Sequence, residues 1–285
     1  MIDLSGYKLT FSDEFNTRSI SQTGEDTVWS SIRNEWRYDA NSDIGFGWSS
    51  FVDPASGYDP FNVSGGALTI TASPNQTPFG TPEGDESGII TTQNGFNQTY
   101  GYFEMRADLN DASPGWDAFW LLPVTQIPDP NGNGHQELDI VEHYGGAAAV
   151  NLYAGIHTTD DNYFADATSS QPAQVGDTFH TYGLLWGPDT LDFYFDGNYV
   201  QSRPTPSDMH SPMYLLANLA TYGDGLDEPL EMKIDYIRVF SNDPDAVAIS
   251  QGPVSAPDGH DPGLYGAIAL DHPSLAPPAP VFDFL

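Results

Sequence analysis

From Asn62 onward the chain is written in short runs that alternate apolar and polar residues and close on Gly, Asn, Asp or Pro. That period of two is the strongest limit on its fold, because successive side chains of a strand point to opposite faces. Ala67-Leu68-Thr69-Ile70-Thr71-Ala72 alternates most cleanly. A loop over Pro74 to Gly88 follows, then strands over Gly88 to Gln93 and Tyr102 to Ala107. Trp116 to Leu122 is almost continuously apolar, as suits a strand covered on both faces. Further runs cover Asn151 to His157, Thr181 to Trp186, Leu191 to Phe195, Tyr199 to Ser202, Met213 to Ala220 and Leu230 to Phe240, with Asp196-Gly197 marking a hairpin. Helical periodicity is almost absent, so the pattern predicts an all-β, two-sheet antiparallel β-sandwich. Residues 1 to 60 read as irregular loops with one strand over Tyr7 to Phe11, in which Trp29, Trp36, Trp48 and Tyr58 serve as buried anchors.

With 285 residues, 39% of them hydrophobic, residues 1–242 can bury the core of a single domain. A formal net charge of −32 opposes binding to nucleic acid or to an anionic membrane, and no apolar run is long enough to span a bilayer. The absence of Cys excludes disulfides and thiol chemistry. A monomer is expected. The first residues carry neither a basic leader nor an apolar stretch, so no cleaved N-terminal signal peptide is expected. From Asp243 the composition shifts to Pro, Ala, Asp and Gly without Lys or Arg, which reads as an extended tail over 243–285. Its apolar end, Pro280 to Leu285, resembles the uncleaved signals of bacterial type I exporters, and a secreted, extracellular protein is the expectation.

The chemistry sits in Glu137-Leu138-Asp139-Ile140-Val141-Glu142. Glu137 and Asp139 share a strand face, whereas Glu142 would point the other way unless one extra residue forms a β-bulge before it. A helix would leave Glu137 and Glu142 about 140° apart. Three acids crowded into one groove repel each other, a cost that points to function. Retaining glycoside hydrolysis uses such equipment, with one carboxylate as nucleophile and a second carboxyl group acting first as acid and then as base.

At these residues the chain resembles glycoside hydrolase family 16 in its bulged, laminarinase-like form. Leu9 to Asn16, Tyr100 to Ala107, Trp116 to Pro123 and Ile234 to Val239 resemble further landmarks of that family, in the expected order, so the likeness covers roughly residues 8 to 241. It implies a concanavalin-like jelly roll with a concave substrate cleft, and an endo-acting β-glycanase that needs no catalytic cofactor. The polysaccharides it implies are laminarin-like or mixed-linkage glucans and bacterial exopolysaccharides. By resemblance Glu137 is the nucleophile, Asp139 its assistant and Glu142 the acid/base, expected to titrate above an ordinary Glu. The rival readings are a non-catalytic carbohydrate-binding sandwich and a metal-binding adhesion module.

Around the acids, Trp116, Ala118 and Trp120 share one strand face, with Ala118 leaving room for a sugar ring between the two indoles, while Phe119 and Leu121 pack the core. By resemblance Trp116 floors the cleft and His157 reaches into it; Arg106 is a further substrate-binding candidate, although a carboxylate partner suits it better. The family commonly has Pro where Asp117 stands. His143, next to Glu142, is placed behind the site. Asp129 to Gly134 imitates an EF-hand loop, but Ile140 stands where the closing Glu should be, and the segment reads as a turn-rich loop. A structural Ca²⁺, which the resemblance implies, would fall at Glu14, Gly66 and Asp235.

Overall fold

A computed structural model describes residues 1–31, 45–54, 57–74, 85–125, 136–145, 152–153, 156–158, 176, 178–223 and 225–243. The EF-hand-like loop at 129–134, Trp36, and the tail from residue 244 lie outside the described residues. In chain order the strands are β1 Lys8–Asp13, β2 Ile20–Ser21, β3 Trp29–Ser30, β4 Ser49–Phe51, β5 Phe61–Ser64, β6 Ala67–Pro74, β7 Asp85–Ser87, β8 Ile89–Thr91, β9 Asn97–Gln98 and β10 Gly101–Asp108. They continue with β11 Gly115–Pro123, β12 Glu137–Tyr144, β13 Leu152–Tyr153, β14 Ile156–His157, β15 His180–Trp186, β16 Thr190–Phe195, β17 Asn198–Pro204, β18 Met213–Thr221 and β19 Leu230–Ser241.

Two sheets form. One runs β17-β16-β15-β10-β19-β6-β7-β4, with β1 also on β19 and β5 also on β6. The other runs β13-β12-β11-β18-β8-β3-β2, with β14 also on β12 and β9 also on β18. Strand alternation divides each sheet into an inner and an outer face. On β10, Phe103, Met105 and Ala107 enter the core between the sheets, and on β11 Phe119 and Leu121 meet them there. The opposite face of β11 carries Ala118, Trp120 and Leu122, which join Phe51, Ile89, Tyr214, Leu216 and Ala220 in a second apolar layer outside the sandwich.

The long strands stand where alternation predicts them. Asp196 (φ 49°) and Gly197 (φ 66°) make the hairpin between β16 and β17, with both central residues left-handed as a primed turn requires. Trp29 is fully buried and donates its indole N–H to Asp13 at 2.8 Å, an anchor as expected.

Two expectations change. The sheets are not wholly antiparallel, since β2 pairs β3 and β4 pairs β7 in parallel. Residues 1–60 and the Pro74–Gly88 segment also contribute the short strands β2, β3, β4 and β7 rather than loops alone. Runs of two or three residues carry no readable alternation, and these pairings join segments distant in sequence. Among the described residues no helix is long and apolar enough to cross a membrane.

Candidate active site

On β11 and β12 the ladder pairs Phe119 with Val141 and then Trp120 with Asp139, so Ile140 is the extra residue. Leu138, Ile140 and Val141 all enter the core between the sheets. Two consecutive residues facing inward is what a bulge allows. After them Glu142 faces outward again, and Glu137, Asp139 and Glu142 line one pocket with Phe46, Trp116, Ala118 and Trp120. The cavity they enclose is about 170 Å³ and opens to solvent. Asp139 is the most enclosed of the three acids, at 3% exposure.

Glu142 is held in place by its neighbours. The Trp116 indole N–H donates to Glu142 Oε1 at 3.0 Å, and the Tyr144 hydroxyl donates to the same oxygen at 3.4 Å. The Trp116 and Tyr144 rings stack, with centroids 5.0 Å apart and 25° between planes. One indole therefore both faces the pocket and orients a carboxylate. Trp120 is 6% exposed and donates its N–H to Asn218 Oδ1 at 2.8 Å, which makes it a fixed wall.

A family model described as the GH16 domain of β-porphyranases A–D matches residues 8–242. The chain belongs to glycoside hydrolase family 16. Two curated relatives from Rhizobium meliloti (strain 1021), the endo-1,3-1,4-beta-glycanases ExsH and EglC, are each 38% identical, over 259 and 261 residues; each alignment covers 86% of this chain. The chain spans 54% of the length of each of these relatives. Among solved structures, SCLam, a non-specific endo-β-1,3(4)-glucanase of family 16, aligns with a TM-score of 0.66 at 24% identity, covering 85% of this chain and 94% of its own. That likeness shows the jelly-roll fold.

Within this family 16 fold the remaining sequence candidates take different places. Arg106 is a correction. It stands on β10 of the other sheet, on the face opposite Met105, paired with Asp235 and lying 4.8 Å from the centre of the Phe179 ring. The carboxylate partner is real, and the sandwich separates Arg106 from the pocket. His157 is opposite Glu137 in the β12–β14 ladder; its side chain lies outside the described residues.

Register brings Glu14, Gly66 and Asp235 together midway along β19, where β1 gives way to β6, because Asp13 pairs Ile237 and Leu68 pairs Ile234. Asp235 sits where the β10–β19 register shifts. Both carboxylates there already serve arginines. Arg238 grips Glu14 with two bonds of 2.8 and 2.7 Å and holds its carboxyl below the ordinary Glu range, while Arg106 pairs with Asp235. Among the described residues no cluster of three acidic or His side chains is set to hold a metal. A cation there would have to share Asp235 with Arg106 and draw its other oxygens from outside these paired carboxylates.

Asp117, the departure from the family's Pro, turns away from the pocket. It is fully buried, and its Oδ2 accepts the Asn110 N–H at 3.1 Å, tying the 110–114 turn to β11. Burial drives its carboxyl well above the usual Asp range, and the charges of Asp108 and Asp111 add to this. His143 stands opposite Asp117 in the ladder, 1% exposed, with its Nε2 3.7 Å from Asp111 Oδ1.

Sequence reasoning missed two residues of the site, Phe46 in the pocket wall and Tyr144 against Trp116 and Glu142. Tyr144 was within reach, since it is two residues from Glu142 and alternation alone gives it the same face. Phe46 carries no periodic signal, only its position between Gly45 and Gly47.

Proposed function

We propose that this chain is an endo-acting β-glycanase that hydrolyses β-1,3 or mixed β-1,3/1,4 linkages in a glucan or bacterial exopolysaccharide, with retention at the anomeric carbon. The observation that carries the reading is the convergence of three carboxylates from one bulged strand on a pocket walled by aromatic rings. The names of the two 38% relatives support the linkage class.

In the first step the Glu137 carboxylate attacks the anomeric carbon while Glu142 gives its proton to the departing glycosidic oxygen. In the second, Glu142 takes a proton from water, and the resulting nucleophile releases the sugar from Glu137. Asp139, enclosed between them, shares a proton with the nucleophile and helps its carboxylate leave. The Trp116 N–H keeps Glu142 aimed through both steps. Aromatic faces pack against sugar C–H groups and position the chain. Among the described residues lining the pocket there is no Lys or Arg, which favours uncharged polymers over sulfated ones.

The purified protein, incubated with a panel of β-glucans and exopolysaccharides, should release oligosaccharides of intermediate size from a β-1,3/1,4-linked polymer, with the β-anomer formed first. Glu142→Gln and Glu137→Gln should each abolish release from unactivated polymer. Full activity of either variant would defeat the assignment, and binding without any release would leave a carbohydrate-binding module. The same proposal includes an extracellular location reached through the C-terminal tail, and a structural Ca²⁺ at Glu14, Gly66 and Asp235.

A further inference from the structure

Among the described residues, Phe46 is the one pocket residue that comes from outside β11 and β12. Its ring meets Trp116 at 5.1 Å and 62°, Trp120 at 6.0 Å and 79°, and Phe51 at 4.9 Å and 79° between centroids and planes. Three rings thus form a corner beside the acids. Phe46 is only partly buried, unlike Phe51 behind it.

The turn that delivers it has no room for other residues on either side. A Cβ on Gly45 would lie 2.1 Å from the Ser49 carbonyl oxygen, and one on Gly47 would lie 2.3 Å from the Thr221 carbonyl oxygen. Gly47 also has φ +63°, a conformation that suits glycine.

Behind the turn lies a closed set of hydrogen bonds. The Trp48 N–H donates to Thr221 O at 2.7 Å, and the Asp85 N–H donates to Trp48 O at 2.9 Å. Asp85 is 2% exposed; its Oδ2 accepts the Thr221 hydroxyl at 2.7 Å and its Oδ1 accepts the Leu226 N–H at 2.9 Å. Since Thr221 spends its hydroxyl proton on Asp85, the 2.9 Å contact between Ser49 Oγ and Thr221 Oγ1 must be donated by Ser49. Ser49 Oγ then accepts the Thr221 N–H at 2.6 Å. A buried carboxylate is costly without such donors, and this one fixes the direction of the whole chain of bonds.

We infer that Phe46 is a saccharide-contacting, specificity-determining ring of the cleft, and that Asp85 is the positioning residue that locks its segment against β18. This rests on the glycanase reading of the pocket. Asp85 touches no substrate; it acts through Ser49, Thr221 and Trp48.

The test uses the full chain, with mixed-linkage β-1,3/1,4-glucan for kinetics and a β-1,3/1,4-linked glucohexaose as the binding probe in a Glu142→Gln background. Phe46→Ala should raise KM and weaken hexaose binding about three- to tenfold, with kcat changed less than KM. Asp85→Asn, which keeps the shape but loses one acceptor, should move the same two quantities. Combining the two substitutions should add little to either alone, because both remove one placed ring. Thr221→Val supplies an independent cut of the same chain of bonds if Asp85→Asn fails to fold. Unchanged KM and binding in Phe46→Ala, or effects of Phe46 and Asp85 that multiply in full, would overturn the inference while cleavage by the wild type keeps the glycanase reading intact. Failure of the wild type to cleave or bind any β-glucan would instead remove the reading beneath it, and this inference with it.

Discussion

Asp117→Asn should make this protein more stable, and increasingly so as the pH rises. Asp117 is wholly enclosed, and its Oδ1 has no hydrogen-bond partner among the described residues. Burial and then the charges of Asp108 and Asp111 raise its carboxyl well above the ordinary Asp range. The folded state therefore holds a proton that the unfolded chain releases above about pH 4, so this group's contribution is intact below that value and is lost as pH rises toward its folded pKa. Asparagine keeps the oxygen that accepts the Asn110 N–H and replaces the orphaned oxygen with an uncharged amide.

Between about pH 4 and the raised folded value, each pH unit takes about 1.4 kcal/mol from the wild type and nothing from the variant. For a chain of this size each kcal/mol moves the melting temperature by roughly 2–4 °C. The variant should then melt about 2–10 °C above the wild type at pH 8, with the gap closing toward pH 4. Thermal melts followed by near-UV circular dichroism at half-unit pH steps measure this gap directly. A gap that stays constant, or that widens toward acid, would refute the account of Asp117 as a buried carboxyl without adequate partners.

Trp116→Phe keeps a ring against Tyr144 but removes the donor to Glu142, and hydrogen bonds to charged groups are worth about 1.5–3 kcal/mol. Initial rates on mixed-linkage glucan should show kcat/KM reduced at least about tenfold, and an unchanged value would detach Trp116 from the acid/base. The pH profile of turnover should be bell-shaped, since one carboxyl group must be ionised and another protonated; a single-limbed profile would contradict the division of roles. Chelation with EDTA should lower the melting temperature if calcium is held at the Glu14, Gly66 and Asp235 corner, and an unaltered melt would remove that ion from the proposal. Deleting residues from about 266 onward should trap the protein inside the producing cell, whereas normal export would count against the tail as a signal.

Much of this was legible in the sequence because β alternation is a local code. Phe103, Met105 and Ala107 announce an inner face without any knowledge of the partner strands. The odd spacing of Glu142 from Glu137 announced the bulge, and the ladder locates it at Ile140. What alternation cannot report is which sheet a strand joins. Arg106 is on the outer face of its strand, as its apolar neighbours imply, yet that face belongs to the sheet remote from the pocket. Phe46 was hidden for a related reason: its place depends on the parallel pairing of Ser49 with Asp85, two segments with β5 and β6 between them. The two glycines flanking it hinted at a tight turn, but not at what the turn would face.

The extra residue in β12 has a consequence for how such a strand can change. Without Ile140 the order Glu137, Leu138, Asp139, Val141, Glu142 would alternate perfectly, leaving all three acids still on one side. In the chain as it stands, the swelling in the ribbon absorbs the one residue that would otherwise turn Glu142 to the other face. It adds a second greasy side chain beneath the acids and bends the backbone that carries Glu142. A shortened descendant of this strand would keep its chemistry and lose its curvature, so the outline of the polymer it accepts is free to drift separately from the reaction it performs.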